Sequence, residues 1–250
     1  MILILTGGLF VLALVSGMLG LGVAFAAVPF LSFFLPDLGH QVQPLSLLLN
    51  GITALFAVFG FAQSGLMDWR KAILLAVITT AAAPLGSWLV RFVPQIWVWV
   101  AYFLAVAYLA YRLFKPAEAR LAGPPNFRLA LVLAVPISVL AGFLGIGPGF
   151  LLMPTLIIVG FDPKVAAAIN AFAVTPPSFS ALLPHLAAAQ WTAGLTVPLL
   201  VAGAVGAFIG AKVSAKFVPS GRLKQSFGVL IVVMTGYQII RMLGVLSSPC

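Results

Sequence analysis

The residues of this chain that could do chemistry are glycines and uncharged polar side chains set inside long apolar segments. Asn50 is followed by Gly51, and Thr175 is followed by two prolines, so each polar residue stands beside a helix breaker. Backbone N–H groups freed at such interruptions bind carboxylates and other oxyanions, with help from neighbouring hydroxyls and amides. The pattern therefore predicts a site for a small anion.

The candidate substrate-binding residues lie at a glycine cluster or in the apolar segment that follows it. They are Gly20, Gly22, Asn50, Thr53, Gly145, Gly147, Asn170, Thr175 and Ser178. Simpler roles stay open for the same residues. The glycines permit close helix packing, the asparagines bond between helices, and the hydroxyls bond to their own backbone.

Residues for catalysis or metal binding are scarce. The histidines, His40 and His185, stand alone in their segments, and the single cysteine is Cys250. The four acids fall at segment ends or in loops, whereas proton- and sodium-coupled carriers often use a buried acid. We therefore expect no metal, no cofactor and no enzymatic activity. An anion exporter or facilitator is favoured over a pump, and an intramembrane enzyme is the weaker alternative.

The composition predicts a polytopic integral membrane protein. Of 250 residues, 63% are hydrophobic and 7% are charged, against roughly a quarter charged in soluble domains. The net charge of +9 is attributed to loop residues that set membrane orientation rather than to nucleic-acid binding. The expected partners are a small anionic substrate and the lipid bilayer, with no nucleic acid and with a homo-oligomer left open.

Breaks at charges, prolines and polar clusters divide the chain into eight apolar segments. They are 2–35, 42–66, 72–90, 95–113, 128–160, 165–189, 191–211 and 225–246. No basic residue precedes the first segment, so we expect it to stay in the mature protein instead of serving as a signal peptide. The segments 2–35 and 128–160 are far longer than one span of about 20 residues. Their central glycines and later prolines predict two half-helices with a turn between them.

A shift of 125 residues reveals an internal repeat. It pairs Gly17 with Gly142, Gly20 with Gly145, Gly22 with Gly147, Phe25 with Phe150, Pro29 with Pro154 and Asp37 with Asp162. An offset of 122 pairs Asp68-Trp69 with Gln190-Trp191. The predicted organisation is a first transmembrane repeat at 1–115, a cytoplasmic linker at 116–127 and a second transmembrane repeat at 128–250.

The distribution of lysines and arginines distinguishes between two membrane topologies. If all eight segments span, the 13 lysines and arginines divide about 7 to 6 between the two sides, without the cytoplasmic bias of membrane proteins. If 2–35 and 128–160 enter and leave on one face, they divide about 11 to 2, as that bias requires. We therefore predict an all-α membrane protein of two inverted repeats. Each has a glycine-broken re-entrant segment plus three transmembrane helices, and both termini lie outside; ten full spans would give the same parity.

These residues resemble the sulfite exporter TauE/SafE family, in which each half carries a glycine-rich signature followed by a proline. The second copy here reads Gly142, Gly145, Gly147, Pro148, Gly149 and Pro154, and the first reads Gly17, Gly20, Gly22, Val23, Ala24 and Pro29. Asp68-Trp69-Arg70 matches the family's acid–Trp–Arg stretch. The resemblance implies export of sulfur-containing anions across the inner membrane, such as sulfite, sulfoacetate or other sulfonates. Another small anion, such as a carboxylate, is the alternative.

Overall fold

A computed structural model describes residues 2–89, 125–144, 147–183, 189–223 and a few single positions outside these ranges. This part of the chain is helical and contains no β-strand, as predicted. The helices are α1 (Ile2–Leu19), α2 (Ala24–Ser32), α3 (Gln43–Ala62), α4 (Trp69–Leu89), α5 (Phe127–Leu144), α6 (Gly149–Ile158), α7 (Pro163–Leu182) and α8 (Ala193–Phe217). A π-helical turn, Leu38–Val42, leads into α3. The segments predicted at 95–113 and 225–246, and nearly all of the linker, lie outside the described ranges.

Both long apolar segments are interrupted where the glycine clusters predict it. The first divides into α1 and α2, and the second into α5 and α6, with four residues between the half-helices in each case. The shift of 125 carries α1 onto α5 residue for residue, and it carries Ala24, the first residue of α2, onto Gly149 of α6. The sequence repeat is thus also a repeat of helix boundaries. The interruptions predicted at Gly51 and at Pro176-Pro177 are wrong, because α3 and α7 run through these positions as continuous helices.

Each broken segment folds back so that its start lies beside its end. Ahead of α5, the Asn126 N–H donates to the Val159 carbonyl just after α6, at 2.9 Å. The rings of Phe127 and Phe161 meet edge to face, with centroids 6.3 Å apart. In the first segment, Gly8 of α1 packs directly against the ring of Phe30 in α2. Both segments are therefore helical hairpins.

The two halves of the chain interlock. Helix α8 packs on α1 and α3. Its repeat partner, α4, packs on the repeat partners of those two helices, α5 and α7. Helices α3 and α7, which are repeat partners, contact each other directly. The stacked rings of Phe25 and Phe150, with centroids 5.6 Å apart, are likewise related by the shift of 125. Contacts between helices therefore recur between their repeat partners in the other half.

Small residues let α1 and α8 approach closely. A Cβ on Gly17 would overlap the backbone of Ala207, and one on Gly206 would come within 2.7 Å of the Phe10 carbonyl oxygen. Such close backbone contact between small residues is typical of helix pairs in lipid, where apolar burial alone gives little driving force. Gly17 therefore serves helix packing, one of the two roles considered for the glycines.

Four of the described helical stretches are long and apolar enough to cross a membrane. They are Ile2–Leu19, His40–Ala62, Pro163–Leu182 and Ala193–Phe217. Helix α8 also exposes an aliphatic stripe at a spacing of four residues, formed by Val197, Val201, Val205 and Ile209. A one-sided apolar stripe of this kind faces lipid when a helix spans a bilayer. The chain is a multi-pass membrane protein.

Basic residues gather at one end of the helix bundle. The Lys71 ammonium lies 5.4 Å from the centre of the Phe161 ring, which also contacts Phe127, the neighbour of Arg128. Lys164 donates to the carbonyl of Ala215 at 2.9 Å, within the last turns of α8. We call this region the cationic end; its members are Lys71, Arg128, Lys164, Lys212 and Lys216. The opposite end, called the polar end, holds the turn 38–42 and the start of α8.

Candidate substrate site at the two helix breaks

The first helix break, between α1 and α2, depends on glycine. Gly20 and Gly22 have positive φ values of 62° and 70°, which other residues rarely adopt. A Cβ on Gly20 would also overlap the Ala167 carbonyl, and a Cβ on Gly22 would overlap the carboxamide of Asn50. The Ser16 hydroxyl donates to the carbonyl of Gly22 and fixes the turn. Two of the predicted site glycines therefore shape the backbone of this break.

Asn50 joins this break to the other half of the protein. Its Oδ1 accepts from the Ala24 N–H at 2.8 Å, and its Nδ2 donates to the Ser178 hydroxyl at 2.8 Å. The carboxamide lies between two glycines, since a Cβ on Gly22 or on Gly147 would run into it. Asn50 is thus buried at the point where α2, α3, α7 and the second break meet.

Thr53 completes the cap of α2. Its hydroxyl oxygen accepts from the Val23 N–H at 3.2 Å while it donates to the Leu49 carbonyl at 2.7 Å. Thr53 and Asn50 together satisfy two of the N–H groups that a helix start leaves without intrahelical partners. The backbone donors predicted to face an anion are therefore present at this break, and two side chains of α3 occupy them.

Asn170 ties the two breaks to α7. Its Nδ2 donates to the carbonyl of Gly20 at 2.7 Å and contacts the carbonyl of Gly149 at 3.3 Å. The Oδ1 atom is fully buried and has no hydrogen-bond partner in the described part of the chain. An unpaired buried acceptor costs about 1–3 kcal/mol, so the described bonds that hold the Asn170 carboxamide are those of its Nδ2.

The second break is capped differently from the first. Pro148, which has no N–H, stands at the N-cap of α6 without a side-chain cap. The shift of 125 places Thr175 and Ser178 where α3 has Asn50 and Thr53. The Thr175 hydroxyl donates to the carbonyl of Ala171 at 2.9 Å, and the Ser178 hydroxyl donates to that of Val174 at 2.6 Å. The asymmetry arises because these two hydroxyls bond to their own helix.

Seven of the nine predicted site residues form one cluster around these breaks. The members of the cluster are Gly20, Gly22, Asn50, Thr53, Gly147, Asn170 and Ser178. Thr175 is buried one turn before Ser178 on α7, but its hydroxyl bonds only to its own helix in the described region. Gly145 and His185 lie outside the described residues.

Sequence reasoning missed Ser16 as part of this cluster, and it placed Gly149 at the second break without including it among the candidate site residues. Ser16 precedes the first glycine of the signature directly, and its repeat partner is Ala141, so the repeat gave no second copy to notice. Gly149 leaves no room for a side chain, because a Cβ there would come within 2.7 Å of the Leu21 carbonyl oxygen. The glycine pattern of the second copy was the available signal for it.

The described residues of this cluster carry no formal charge. Three of the four acids stand at helix starts: Asp37 before the turn 38–42, Asp68 before α4 and Asp162 before α7. The fourth, Glu118, lies outside the described residues. No group of three potential metal ligands occurs in the part of the chain that the structure covers. The chemistry of the cluster is that of neutral hydrogen-bond donors and acceptors.

Paired helix breaks that meet inside an apolar helix bundle are common in secondary transporters. The chain belongs to the sulfite exporter TauE/SafE family, whose model matches residues 4–237. The resemblance noted in the sequence is therefore confirmed over nearly the whole chain.

Individual relatives agree with this class. A "Probable membrane transporter protein" of Xylella fastidiosa (strain 9a5c) is 26% identical over 253 residues, covering 94% of this chain and 93% of the relative. "Sulfite exporter TauE/SafE family protein 1" of Arabidopsis thaliana is 30% identical over 122 residues, covering 47% of this chain and 27% of the relative. No solved structure matches the chain.

Proposed function

We propose that this protein exports a small sulfur-containing oxyanion, such as sulfite, sulfoacetate or another sulfonate, across the inner membrane. One observation carries the proposal: both helix breaks converge on Asn50, near the middle of the apolar span His40–Ala62. An oxyanion at this depth needs several neutral donors, because water is absent and an unpaired charge is costly there.

The cap of α2 supports a specific mode of binding. Asn50 Oδ1 and Thr53 Oγ1 accept from the Ala24 and Val23 N–H groups, the same donors that an oxyanion would use. A bound anion therefore replaces these side-chain oxygens. Release of the Asn50 cap also loosens its bond to Ser178, which couples anion binding to movement of α3 against α7.

The hairpin geometry supports two re-entrant segments. Residues 126 and 159 are hydrogen-bonded, so that segment starts and ends at one level. Helix α2 has 9 residues and α6 has 10, about 14–15 Å at 1.5 Å per residue. Each returning limb is about half as long as the hydrocarbon core is thick. The outgoing limbs α1 and α5 have 18 residues each, about 27 Å, so it is the short returning limbs that favour re-entrant segments over ten full spans.

The cationic end supports an orientation and an inverted repeat. Lys71 and Lys164 would face opposite sides if all eight segments spanned, yet both lie against residues at one end of the bundle. With this end in the cytoplasm, as the charge bias of membrane proteins expects, the start of α1 is outside. Helices α3 and α7 then run in opposite directions through the membrane, as inverted repeats require.

Flux measurements test the function directly. Liposomes that contain the purified protein are loaded with sulfite, sulfoacetate, sulfate or acetate, and efflux is followed in the wild type and in the site variants Asn50→Leu and Thr53→Val. Thr6→Val is the matched control, because Thr6 makes the same bond to a carbonyl four residues earlier but lies exposed on α1. We expect loss of flux in both site variants at unchanged expression and full flux in the control. Faster efflux of acetate than of the sulfur-containing anions would indicate that the site binds carboxylates. Wild-type flux in both site variants would show that these two residues are not part of the site.

A further inference from the structure

Two lysines stand on the lipid-facing side of α8, at the cationic end. Lys212 and Lys216 follow Ile209, the last residue of the aliphatic stripe, by three and seven residues, and positions so spaced lie on one face of a helix. Both lysines are exposed. The opposite face of α8 packs on α1, where a Cβ on Gly210 would overlap the Leu14 carbonyl. The two lysines therefore lie away from the bundle, on the side that meets lipid.

The length of α8 sets the depth of these lysines in the bilayer. Trp191 precedes the helix and is 38% exposed, as is typical of a tryptophan at a membrane interface. Lys212 follows Ala193, the first residue of α8, by 19 positions, a rise of about 28 Å. The hydrocarbon core of a bilayer is also about 30 Å thick. Lys212 and Lys216 thus lie at the level of the lipid head groups on the side opposite to Trp191.

Neither lysine has an acidic partner in the part of the chain that the structure describes. The ammonium of Lys212 lies 4.6 Å from the centre of the Phe208 ring, and that of Lys216 lies 5.3 Å from the centre of the Phe217 ring. Contacts of this kind are weak at exposed positions, and they leave the positive charge uncompensated. A charge at the edge of the hydrocarbon is costly without a counter-ion. An anion on the lipid side would therefore stabilise both ammonium groups.

Lys164 adds a third positive charge next to this pair. Its Nζ donates to the Ala215 carbonyl at 2.9 Å, and Ala215 directly precedes Lys216. The acid closest to Lys164 in sequence is Asp162, whose carboxylate accepts from the Lys164 N–H at 2.9 Å as the N-cap of α7. Asp162 makes no ion pair with any of these lysines in the described chain. The last turns of α8 therefore carry an excess of positive charge.

We propose that Lys212 and Lys216 bind the phosphate of an acidic phospholipid whose acyl chains lie along Val205 and Ile209. The phosphodiester offers anionic oxygens at the depth of the two ammonium groups, and the acyl chains match the aliphatic residues one and two turns earlier. Basic groups at the membrane ends of helices bind such head groups in other proteins. A soluble anion would contact the lysines but gain nothing from the stripe, so the occupant is a lipid.

Lipid binding to the purified protein tests the site without a transport assay. The full chain in a neutral detergent is titrated with phosphatidylglycerol or with zwitterionic phosphatidylcholine, and native mass spectrometry counts the bound lipids at each concentration. Since one lysine near a bilayer surface strengthens the binding of acidic lipid about fivefold, Lys212→Gln/Lys216→Gln should bind phosphatidylglycerol about 25-fold more weakly. The wild type should prefer phosphatidylglycerol to phosphatidylcholine, and the double variant should lose this preference.

Two further variants separate a defined site from a general effect of charge. Lys71→Gln is the matched control, because it removes one positive charge from the same end, at an ammonium that Asp68 already pairs. It should bind phosphatidylglycerol with wild-type affinity, whereas Lys212→Gln alone should lose about fivefold. Lys212→Arg/Lys216→Arg keeps both charges and should retain the preference for acidic lipid. Inorganic phosphate should not displace the bound lipid.

Several results would overturn the lipid site. Unchanged affinity in the double glutamine variant would do so, as would an equal loss in Lys71→Gln, since the lipid would then respond only to the net charge of this end. Displacement of the lipid by inorganic phosphate would assign the two lysines to soluble anions. Absence of any preference for phosphatidylglycerol in the wild-type protein would also overturn the site, and this result needs no variant to fold.

Discussion

Asn50 and Ser178 are 128 residues apart, yet the Asn50 Nδ2 donates to the Ser178 hydroxyl at 2.8 Å in the buried centre of the bundle. The Ser178 hydroxyl in turn donates to the Val174 carbonyl at 2.6 Å. On its other side, Asn50 accepts from the N–H of Ala24. A single chain of hydrogen bonds therefore runs from the first helix break into α7, and it joins the two repeats through neutral groups alone.

Removal of the Ser178 hydroxyl should destabilise the protein more than removal of a similar hydroxyl nearby. Ser178→Ala leaves the Asn50 Nδ2 buried without its acceptor, which costs about 1–3 kcal/mol. Ser180→Ala is the control, since Ser180 is half-buried on the same helix and bonds only to the Pro177 carbonyl in the described chain. Unfolding in detergent measures both. A double-mutant cycle with Asn50→Ala should give a coupling of about 0.5–3 kcal/mol, and additive effects would contradict the link.

Asn50→Asp should lower flux strongly, and it should also cost stability because it removes the Nδ2 donor to Ser178. An aspartate keeps the oxygen that accepts from Ala24, and a negative charge is favourable at a helix start. The same charge repels an incoming anion and strengthens the cap that the anion must replace. Flux in liposomes should fall at least about tenfold, since like charges in contact cost more than 1.4 kcal/mol at low effective dielectric. Gln63→Glu adds the same charge at the exposed end of α3 and should leave flux intact.

Alanine substitutions at four glycines should separate backbone strain from lack of space. Gly7 has open space and an ordinary φ, whereas Gly65 has open space and a φ of 70°. Gly20 and Gly22 have both a positive φ and no room for a Cβ. We expect Gly7→Ala to be neutral or stabilising, and Gly65→Ala to cost about 1–2 kcal/mol.

The two crowded glycines should cost more than Gly65. Gly20→Ala and Gly22→Ala add an overpacking cost of about 1–3 kcal/mol to the backbone cost seen at Gly65. Melting temperatures in detergent give the order of the four variants. Equal losses at Gly20 and Gly65 would mean that the break relaxes around a side chain.

The interruptions of the long segments could be predicted because glycine clusters act locally. A positive φ is a property of a single residue and favours glycine. The turn at Gly20 and Gly22 could therefore be predicted from the local sequence alone. The repeat then placed the second break at the matching position. An aspartate just before an apolar segment is also typical of a helix N-cap, which predicts that α4 starts after Asp68. In the structure the Asp68 carboxylate accepts from the Lys71 N–H at 3.2 Å, as an N-cap residue does.

The contacts between the halves could not be read in the same way. Nothing local to Asn50 says that its amide reaches Ser178, because that contact depends on how α3 packs on α7. The repeat even misleads here, since Thr175, the partner of Asn50, bonds to its own helix. A hydroxyl on Cβ reaches the preceding turn easily, whereas a carboxamide extends far enough to cap a neighbouring helix.

The Asp68–Lys71 pair should make stability depend on pH only under acid conditions. The hydrogen bond from the Lys71 ammonium lowers the pKa of Asp68 below its ordinary value. The stabilisation is therefore complete above the unfolded pKa of about 3.9, and it is lost as pH falls through the lower folded pKa. Asp68→Asn should lower the melting temperature equally from pH 8 to pH 5, and the difference from wild type should shrink below about pH 4. A Lys71→Met variant should largely lose this acid-dependent part, and an unchanged pH profile in it would contradict the assignment.

Single cysteines should place the loops at residues 64 and 221 on one side of the membrane. With Cys250 replaced by serine, Ser64→Cys and Gly221→Cys sit at exposed positions near the cationic end, and Pro36→Cys sits at the polar end. Two re-entrant hairpins put positions 64 and 221 together in the cytoplasm and position 36 outside, whereas eight full spans separate positions 64 and 221. A membrane-impermeant maleimide applied to intact cells should label only position 36, and lysis should expose the other two. Labelling of position 221 but not position 64 in intact cells would overturn the hairpin topology.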